Sequence, residues 1–309
     1  MLLASGLNAK RVREMNDQER EYVTGMLSRT RLFFDQASID KVRNTTFAIS
    51  GLGGVGAITA ELLARWGVKR FRLLDMDRYE SSNLNRQLFA TANTLGRYKV
   101  EVTRDRIKEI NPFAQCELVL GKRVTNENVH SFVRGAGIII QSADYPSCKL
   151  FYLSAQKHRV PVVNGYSTIT GGRVQTFDYR KPTRFNFAES WWNSLKFGGM
   201  RPLVDQTEEE LAAFDAEHVH PTAPTLNFVT NMIGCLMVAE AIKLLTGRGH
   251  VIHYPRYLMF NAFDYQLKIK NSNSPLNREN LKRIVGALKS RVNSHLRINF
   301  SEEDNEAQP

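Results

Sequence analysis

The chain has too few cysteines for a zinc framework or a disulfide framework. Its 309 residues contain three, Cys116, Cys148 and Cys235, and no two of them stand in C-x-x-C spacing. Three thiols cannot supply the four ligands of a Cys₄ zinc site, and they are too few for a fold held together by disulfides. The sequence therefore predicts no structural zinc.

Long apolar runs are also missing. No uninterrupted apolar stretch approaches the roughly 20 residues that span a bilayer, and the N-terminus turns polar too soon for a secretory signal. The most apolar stretch, residues 224–247, is typical of a buried or dimer-interface helix because polar side chains interrupt it. These are Asn227, Thr230, Asn231, Glu240 and Lys243. We therefore predict a cytoplasmic protein with no membrane partner.

Positive charge is abundant. The formal net charge is +11, which fits a solvated basic surface or an anionic partner such as ATP, an acidic peptide or RNA. The basic residues are spread along the chain and are not concentrated in one arm. This spread makes nucleic acid the less favoured of these partners.

A glycine-rich loop is the strongest local signal. Residues 45–50 form a β-rich run, "GLGGVG" follows at 51–56, 57–67 has helical spacing, and 69–77 has the pattern of a second strand. The order strand, G-x-G-x-x-G, helix, strand is the dinucleotide-binding context. Glycines let the backbone approach a phosphate at the helix N-terminus. The loop predicts a nucleotide site and leaves NAD and ATP both open.

The remaining pattern predicts an α/β fold. Residues 16–45 and 95–112 have helical patterns, and strands and helices alternate up to about residue 166. From Gly171 the apolar period becomes two, which predicts antiparallel strands. We expect a Rossmann-like mixed sheet with a parallel N-terminal part, antiparallel C-terminal strands and helices on both faces.

Five polar residues favour a triphosphate over a redox dinucleotide. Asp75 ends the second strand, where an acid can accept hydrogen bonds from ribose hydroxyls, and Asn83, Arg86 and Lys99 follow it. A triphosphate carries more negative charge than backbone amides satisfy, and Arg and Lys near the loop neutralise it. Asp144 follows a buried strand, where a carboxylate beside triphosphate suits Mg²⁺.

In sequence order, "GLGGVG", "DMDRYESSNLNRQ", "GRYKVEVTRDRIKEINP" and "SAD" resemble the E1-like adenylating enzymes. That family includes the ThiF, MoeB and HesA proteins and the activating enzymes of ubiquitin-like modifiers. The resemblance implies that a substrate carboxylate attacks the α-phosphate of ATP, which gives an acyl-adenylate and pyrophosphate. It assigns phosphates to Gly51, Gly53, Gly54 and Gly56, the ribose to Asp75, phosphate contacts to Asn83, Arg86 and Lys99, and Mg²⁺ to Asp144. Arg86, Lys99 and Asp144 would carry the catalysis.

The resemblance also implies a homodimer in which an N-terminal arginine of one subunit reaches the ATP of the other. Arg29 and Arg31 are the candidates. The domain organisation it implies has three parts. They are an N-terminal helical extension at 1–44, an adenylation domain at 45–270 with a crossover loop at 181–222, and a C-terminal helix with an acidic tail at 271–309.

Two departures from the family's motifs narrow the choice of branch within the family. The paired C-x-x-C motifs of zinc-containing members are absent, and residues 181–222 hold no cysteine for a thioester. "SADYP", "VVNGY" and the apolar stretch after residue 220 resemble the zinc-free branch that modifies ribosomally made peptides, which includes the microcin C adenylating enzyme and the pantocin biosynthesis enzyme. This implies a precursor-peptide substrate in a modified-peptide antibiotic pathway.

Alternative functions stay open. They are tRNA threonylcarbamoyladenosine cyclisation, adenylation of a sulfur-carrier protein, a non-catalytic scaffold and an NAD-binding oxidoreductase. Individual residues also allow two interpretations. Cys148 either approaches the adenylate or packs as a small buried residue, and Cys235 is expected to pack inside its helix. His218 and His220 fit a loop or substrate contact better than a metal site, and the aromatic stretch 189–197 fits a peptide-binding patch or a hydrophobic anchor.

Overall fold

The computed structural model describes residues 16–144, 148–181, 224–272 and 274. Seven α-helices lie in these ranges. They are α1 (Asp17–Met26), α2 (Gln36–Asn44), α3 (Gly54–Arg65), α4 (Lys99–Ile110), α5 (Asn126–Val133), α6 (Cys148–His158) and α7 (Asn227–Thr246). Eight strands accompany them. They are β1 (Thr46–Ser50), β2 (Arg70–Leu74), β3 (Gln115–Leu120), β4 (Ile138–Gln141), β5 (Val162–Ser167), β6 (Gly171–Phe177), β7 (Arg256–Asn261) and β8 (Gln266–Asn271).

All eight strands form one sheet in the order β3-β2-β1-β4-β5-β6-β7-β8. Strands β1 to β5 pair in parallel, whereas β6, β7 and β8 pair antiparallel. The predicted mixed sheet, parallel first and antiparallel later, is therefore confirmed. The chain moves outward from β1 to β3 and then resumes at β4 on the other side of β1. Between β1 and β4 the strand order reverses, and ligands of open α/β sheets bind at such a reversal.

Helices cover both faces of the sheet. Successive side chains of a strand point to opposite faces, so Phe47 and Ile49 of β1 join one core cluster and Ala48 joins the other. The first cluster is shared with α3 and α7, and the second with α5 and α6. This is the layer arrangement that the alternating pattern predicts.

Helix boundaries differ from the expectation in two places. The stretch 16–45 forms two helices, because Asp35 adopts an extended backbone and its Oδ1 accepts a hydrogen bond from the Ser38 N–H at 2.7 Å. The stretch 95–112 becomes helical only at Lys99, because Tyr98 is also extended (φ −61°, ψ 135°). Lys99 is therefore the first residue of α4.

Helix α7 is, among the described residues, the one helix long and apolar enough to cross a membrane by length and composition. It packs against α3, α2, β5 and β6 and buries Ile233, Met237 and Ala241. This packing is that of a core helix. The expectation that Cys235 packs inside is wrong, because Cys235 is exposed on the outer side of α7.

Several predictions fall on residues outside the described ranges. The aromatic stretch 189–197, His218 and His220 all do, as does nearly all of the crossover loop 181–222. Most of the C-terminal helix and tail at 271–309 also lies outside. The division into three parts stays a prediction.

Candidate active site

The glycine-rich loop joins β1 to α3 at the reversal of strand order. Gly51 has a φ of +77°, and a Cβ there would lie 2.7 Å from the backbone nitrogen of Ala143. A Cβ at Gly56 would lie 1.8 Å from the carbonyl oxygen of Gly51. Both neighbours are backbone atoms that cannot rotate away. The loop, the first turn of α3 and the end of β4 therefore pack at distances that only glycine allows.

The N-terminus of α3 lacks a side-chain cap. Its first helical hydrogen bond runs from the Ala57 N–H to the Gly53 oxygen at 3.0 Å, so the preceding amides have no partner inside the helix. The first turn has no acidic residue, and its N-cap residue, Gly53, provides no side-chain cap. These amides and the helix dipole favour an anion beside Gly53 and Gly54. The predicted phosphate position is therefore a chemically suitable one.

Asp75 ties this loop to the end of β2. Its Oδ2 accepts a hydrogen bond from the Leu52 N–H at 2.6 Å, and its Oδ1 accepts one from the Asp77 N–H at 2.8 Å. Burial raises the pKa of Asp75, and the positive charge of Lys99 opposes that shift. A carboxylate has about four acceptor positions, so both bonds leave room for the predicted ribose contact.

Lys99 bonds one carboxylate and acts electrostatically on a second. Its Nζ donates to Asp77 Oδ2 at 2.8 Å, and its charge also acts on Asp75. The Lys99 side chain is 6% exposed, whereas that of Asp77 is 51% exposed. The sequence analysis did not assign Asp77 a role, although it stands two residues after the ribose candidate. A cation enclosed in this way is positioned beside the loop without freedom to move far.

Asn83 is buried and stabilises its own turn. Its Oδ1 accepts a hydrogen bond from the Glu80 N–H at 3.2 Å, and its Nδ2 donates to Ser82 Oγ at 3.2 Å. This turn orients the segment that leads to Arg86. The predicted phosphate contact of Asn83 stays a prediction beside this structural role.

Arg86 lies over the first turn of α3. A Cβ on Gly54 would be 3.2 Å from the Arg86 carbonyl oxygen, which also accepts a hydrogen bond from Thr230 Oγ1 at 3.4 Å. The guanidinium Nη1 of Arg86 donates to the Ser82 backbone oxygen at 2.7 Å and to Asn85 Oδ1 at 3.0 Å. Thr230 belongs to α7, so the site also includes a helix to which the sequence analysis assigned no site residue.

The end of β4 closes the other side of the loop. Ser142 Oγ donates to the carbonyl oxygens of Gly51 at 2.8 Å and Ser50 at 3.1 Å. Asp144 follows two residues later on the surface, and its backbone oxygen accepts a hydrogen bond from the Cys148 N–H at 3.0 Å. The fold therefore brings the segment bearing Asp144 to the same sheet edge as the glycine loop.

The fold does not bring Arg29 and Arg31 to the site of their own chain. Arg31 bonds Gln36 in the turn before α2, and the neighbouring Phe33 lies 4.4 Å from the Arg248 guanidinium, just beyond the C-terminus of α7. Thr230 is sixteen residues before the end of that helix, which is about 24 Å at 1.5 Å per residue. Their role across a dimer stays a prediction.

Cys148 has the properties of a packed residue. Burial raises the pKa of its thiol to about 11. The thiolate is the nucleophilic form, and at neutral pH this thiol stays protonated. Of the two interpretations of Cys148, the structure favours packing.

A metal ion at this site would need ligands from the substrate. The described residues contain no group of three His, Cys, Asp or Glu side chains that could hold one. Mg²⁺ is typically bound by one or two carboxylates together with phosphate oxygens and waters. Asp144 fits that pattern as a single protein carboxylate beside a nucleotide.

Comparison with known proteins identifies the family. The ThiF family profile matches residues 27–281. The tRNA threonylcarbamoyladenosine dehydratase of Bacillus subtilis (strain 168) is 33% identical over 165 residues, which are 52% of this chain and 61% of that protein. The molybdopterin-synthase adenylyltransferase of Salmonella typhimurium is 26% identical over 264 residues, which are 82% of this chain and 93% of that protein. The chain thus spans less than two thirds of the Bacillus relative.

A solved structure agrees with the fold. E. coli MccB, crystallised with AMPCPP and MccA, superposes with a TM-score of 0.64 at 18% identity, covering 85% of this chain and 75% of that one. At this identity the likeness establishes the fold alone. The profile covers most of the chain, and the fold and loop agree with it. The chain therefore belongs to the ThiF family, whose adenylyltransferases are ATP-dependent E1-like enzymes.

Proposed function

We propose that this protein adenylates a carboxyl group of a ribosomally made precursor peptide, with ATP as the second substrate. The observation that carries the proposal is the uncapped N-terminus of α3 at the strand reversal. The Arg86 backbone packs against Gly54 in its first turn, and the Lys99 ammonium bonds Asp77, two residues after Asp75. A substrate carboxylate oxygen forms a bond to the α-phosphorus of ATP, and the bond from that phosphorus to the β-phosphate bridging oxygen breaks. Acyl-AMP and pyrophosphate leave.

The residues of the site bind and orient; none of them forms a covalent bond. The amides at Gly53 and Gly54 hold phosphate oxygens, and Asp75 accepts hydrogen bonds from the ribose hydroxyls. Lys99 and Arg86 stabilise the charge that accumulates on the phosphates as the bond breaks. Asp144 would provide a carboxylate to Mg²⁺, and the bound ion would neutralise charge on the leaving pyrophosphate. Holding both reactants in line supplies the rest of the rate enhancement.

A peptide substrate is favoured by two observations. The chain lacks the C-x-x-C pairs of zinc-containing members and resembles the peptide-modifying branch. Its fold also matches MccB, a microcin C7 biosynthetic enzyme whose structure is known in complex with N-formylated MccA. The alternatives each have support. The +11 charge and the Bacillus relative favour tRNA, and the extent of the Salmonella match favours a sulfur-carrier protein.

Pyrophosphate exchange into ATP tests the proposal. We expect exchange that depends on a precursor peptide encoded beside this chain, and none with tRNA or a sulfur-carrier protein. Asp144→Ala should lower the exchange rate by at least about 100-fold, because a metal-binding carboxylate is lost beside the transferred phosphate. Asp17→Ala is the matched control, since the Asp17 side chain is fully exposed in α1.

Each other outcome of that experiment identifies an alternative. Exchange that depends on tRNA or on a carrier protein would show that this molecule, and not a peptide, is the substrate of adenylation. Exchange that survives Asp144→Ala removes Asp144 from the metal site. Tight binding of NAD without pyrophosphate exchange supports the NAD-binding oxidoreductase. ATP binding without turnover on any of these substrates supports a non-catalytic scaffold.

We also propose a homodimer that buries the outer face of α7. Phe228 and Met232 are 47% and 42% exposed, and Cys235 continues their line at i+4 and i+7 spacing. Phe263 lies 6.1 Å from Phe228, ring to ring, and extends the apolar surface. A helix with exposed apolar side chains in one line supports a self-complementary contact across a two-fold axis.

Sedimentation equilibrium tests this interface. Met232→Glu should convert the dimer into a monomer, because two carboxylates would be buried against an apolar partner face. Leu153→Glu on α6 is the matched control, since Leu153 is 41% exposed, and it should stay dimeric. Dimers that persist in Met232→Glu would remove α7 from the interface.

A further inference from the structure

Gln87 has a buried side-chain amide that forms no hydrogen bond with any residue that the structure describes. The residue is 7% exposed, and its Oε1 is enclosed without a hydrogen bond. Its side chain also has no other hydrogen bond to the described part of the chain. Unpaired buried polar groups destabilise a native protein and are uncommon.

The Gln87 amide lies against the N-terminus of α3. A Cβ on Gly53, the N-cap residue, would be 3.6 Å from Gln87 Nε2 and 3.9 Å from Oε1. The backbone that holds it is fixed, because the Gln87 N–H donates to the Asn83 oxygen at 2.9 Å and its own oxygen accepts from Ala90 at 2.9 Å. The side chain therefore stands beside the uncapped amides where an anion is favoured.

The orientation of this amide has a physical reason. An enclosed Oε1 leaves one acceptor without a partner, whereas an enclosed Nε2 would leave two N–H donors without partners. Turning the oxygen inward is the less costly choice, and it leaves the donor nitrogen on the open side of the group.

We propose that Gln87 is a positioning residue that donates from Nε2 to a phosphate oxygen of the nucleotide seated on α3. The inference rests on the proposed function for the identity of the nucleotide, ATP. Because the amide is neutral, it orients the phosphate without adding charge to that of Arg86 and Lys99. The enclosed Oε1 without a partner is the energetic cost of holding that donor ready.

Two measurements on Gln87→Leu distinguish this role from a structural one. Leucine removes both the phosphate donor and the enclosed acceptor. The Tm of the unliganded variant should be equal to or above that of the wild type, while the Kd for ATP, measured by calorimetry, should rise roughly 10- to 100-fold. The Kd for adenosine, which has no phosphate, should not change. A residue that only supports the fold would lower Tm and weaken both ligands.

Two more variants complete the test. Gln87→Glu places a negative charge beside the phosphates, and its Kd for ATP should rise more than that of Gln87→Leu, by about 100-fold or more. Thr176→Val is the matched control, since Thr176 Oγ1 is another enclosed oxygen without a partner and belongs to β6. It should keep its Tm and its affinity for ATP.

Several outcomes overturn the inference. They are an unchanged Kd for ATP in Gln87→Leu, equal weakening of adenosine and ATP, and retention of ATP affinity in Gln87→Glu. If the wild type binds ATP but no carboxyl substrate supports pyrophosphate exchange, the proposed function fails while the role of Gln87 stands. If the wild type binds no ATP, both fail.

Discussion

Replacing Lys99 by methionine is expected to lower kcat/KM for pyrophosphate exchange by about 1,000-fold. The ammonium bonds Asp77, and its charge acts on Asp75, which accepts a hydrogen bond from the Leu52 N–H in the glycine loop. Methionine fills similar space without charge, so two carboxylates then face an approaching triphosphate. The variant should stay folded, because Asp77 is half exposed and water can solvate it. Exchange kinetics and thermal unfolding measure the two effects.

A double variant separates the two roles that the geometry gives Lys99. If the lysine only neutralises Asp77, Lys99→Met combined with Asp77→Asn should recover most of the exchange rate. If Nζ contacts a phosphate, the double variant should remain at least about 100-fold below wild type. We expect the second result. Asp77→Asn alone should be nearly as active as wild type, and a large loss there would show that Asp77 acts directly.

The sequence predicts the parts of this site that are local. Gly51 and Gly56 occur in one loop, and Asp75 ends the adjoining strand, so a motif and its spacing suffice to find them. The parallel order of β1, β2 and β4 then brings the Asp75 and Asp144 segments to one sheet edge. The fold class follows from the same alternation, because connections between parallel strands require helices.

The residues that were missed have distant partners. Thr230 is 144 positions from Arg86, yet it donates a hydrogen bond to the Arg86 oxygen. Ser142 acts on Gly51, 91 positions away. No local pattern identifies a hydroxyl that will bond a distant backbone oxygen, because Ser and Thr are also common in turns and helix caps. The exposure of Cys235 was missed for a related reason: α7 is apolar on every side, so its sequence does not say which side faces the sheet.

Replacing Gly56 by alanine is expected to unfold the glycine loop even without nucleotide. The added Cβ would lie 1.8 Å from the Gly51 carbonyl oxygen, far inside contact distance. Gly51 cannot retreat, because its N–H donates to the Leu74 oxygen at 2.9 Å and Ser142 Oγ bonds its carbonyl. The strain must therefore move α3 away from the sheet. We expect a loss of about 3–5 kcal/mol in the free energy of unfolding, measured by urea titration.

Gly53→Ala is the control in the same loop, and its free energy of unfolding is compared with that of Gly56→Ala. Its Cβ would meet only the Gln87 side chain, at 3.6 Å, which is an ordinary contact distance. Glycine and alanine at an N-cap differ by roughly 1 kcal/mol, so this variant should fold with a small loss. If both variants unfold alike, the cost comes from losing any glycine in the loop. If Gly56→Ala is as stable as Gly53→Ala, the close approach of Gly56 to Gly51 is not what holds α3 on the sheet.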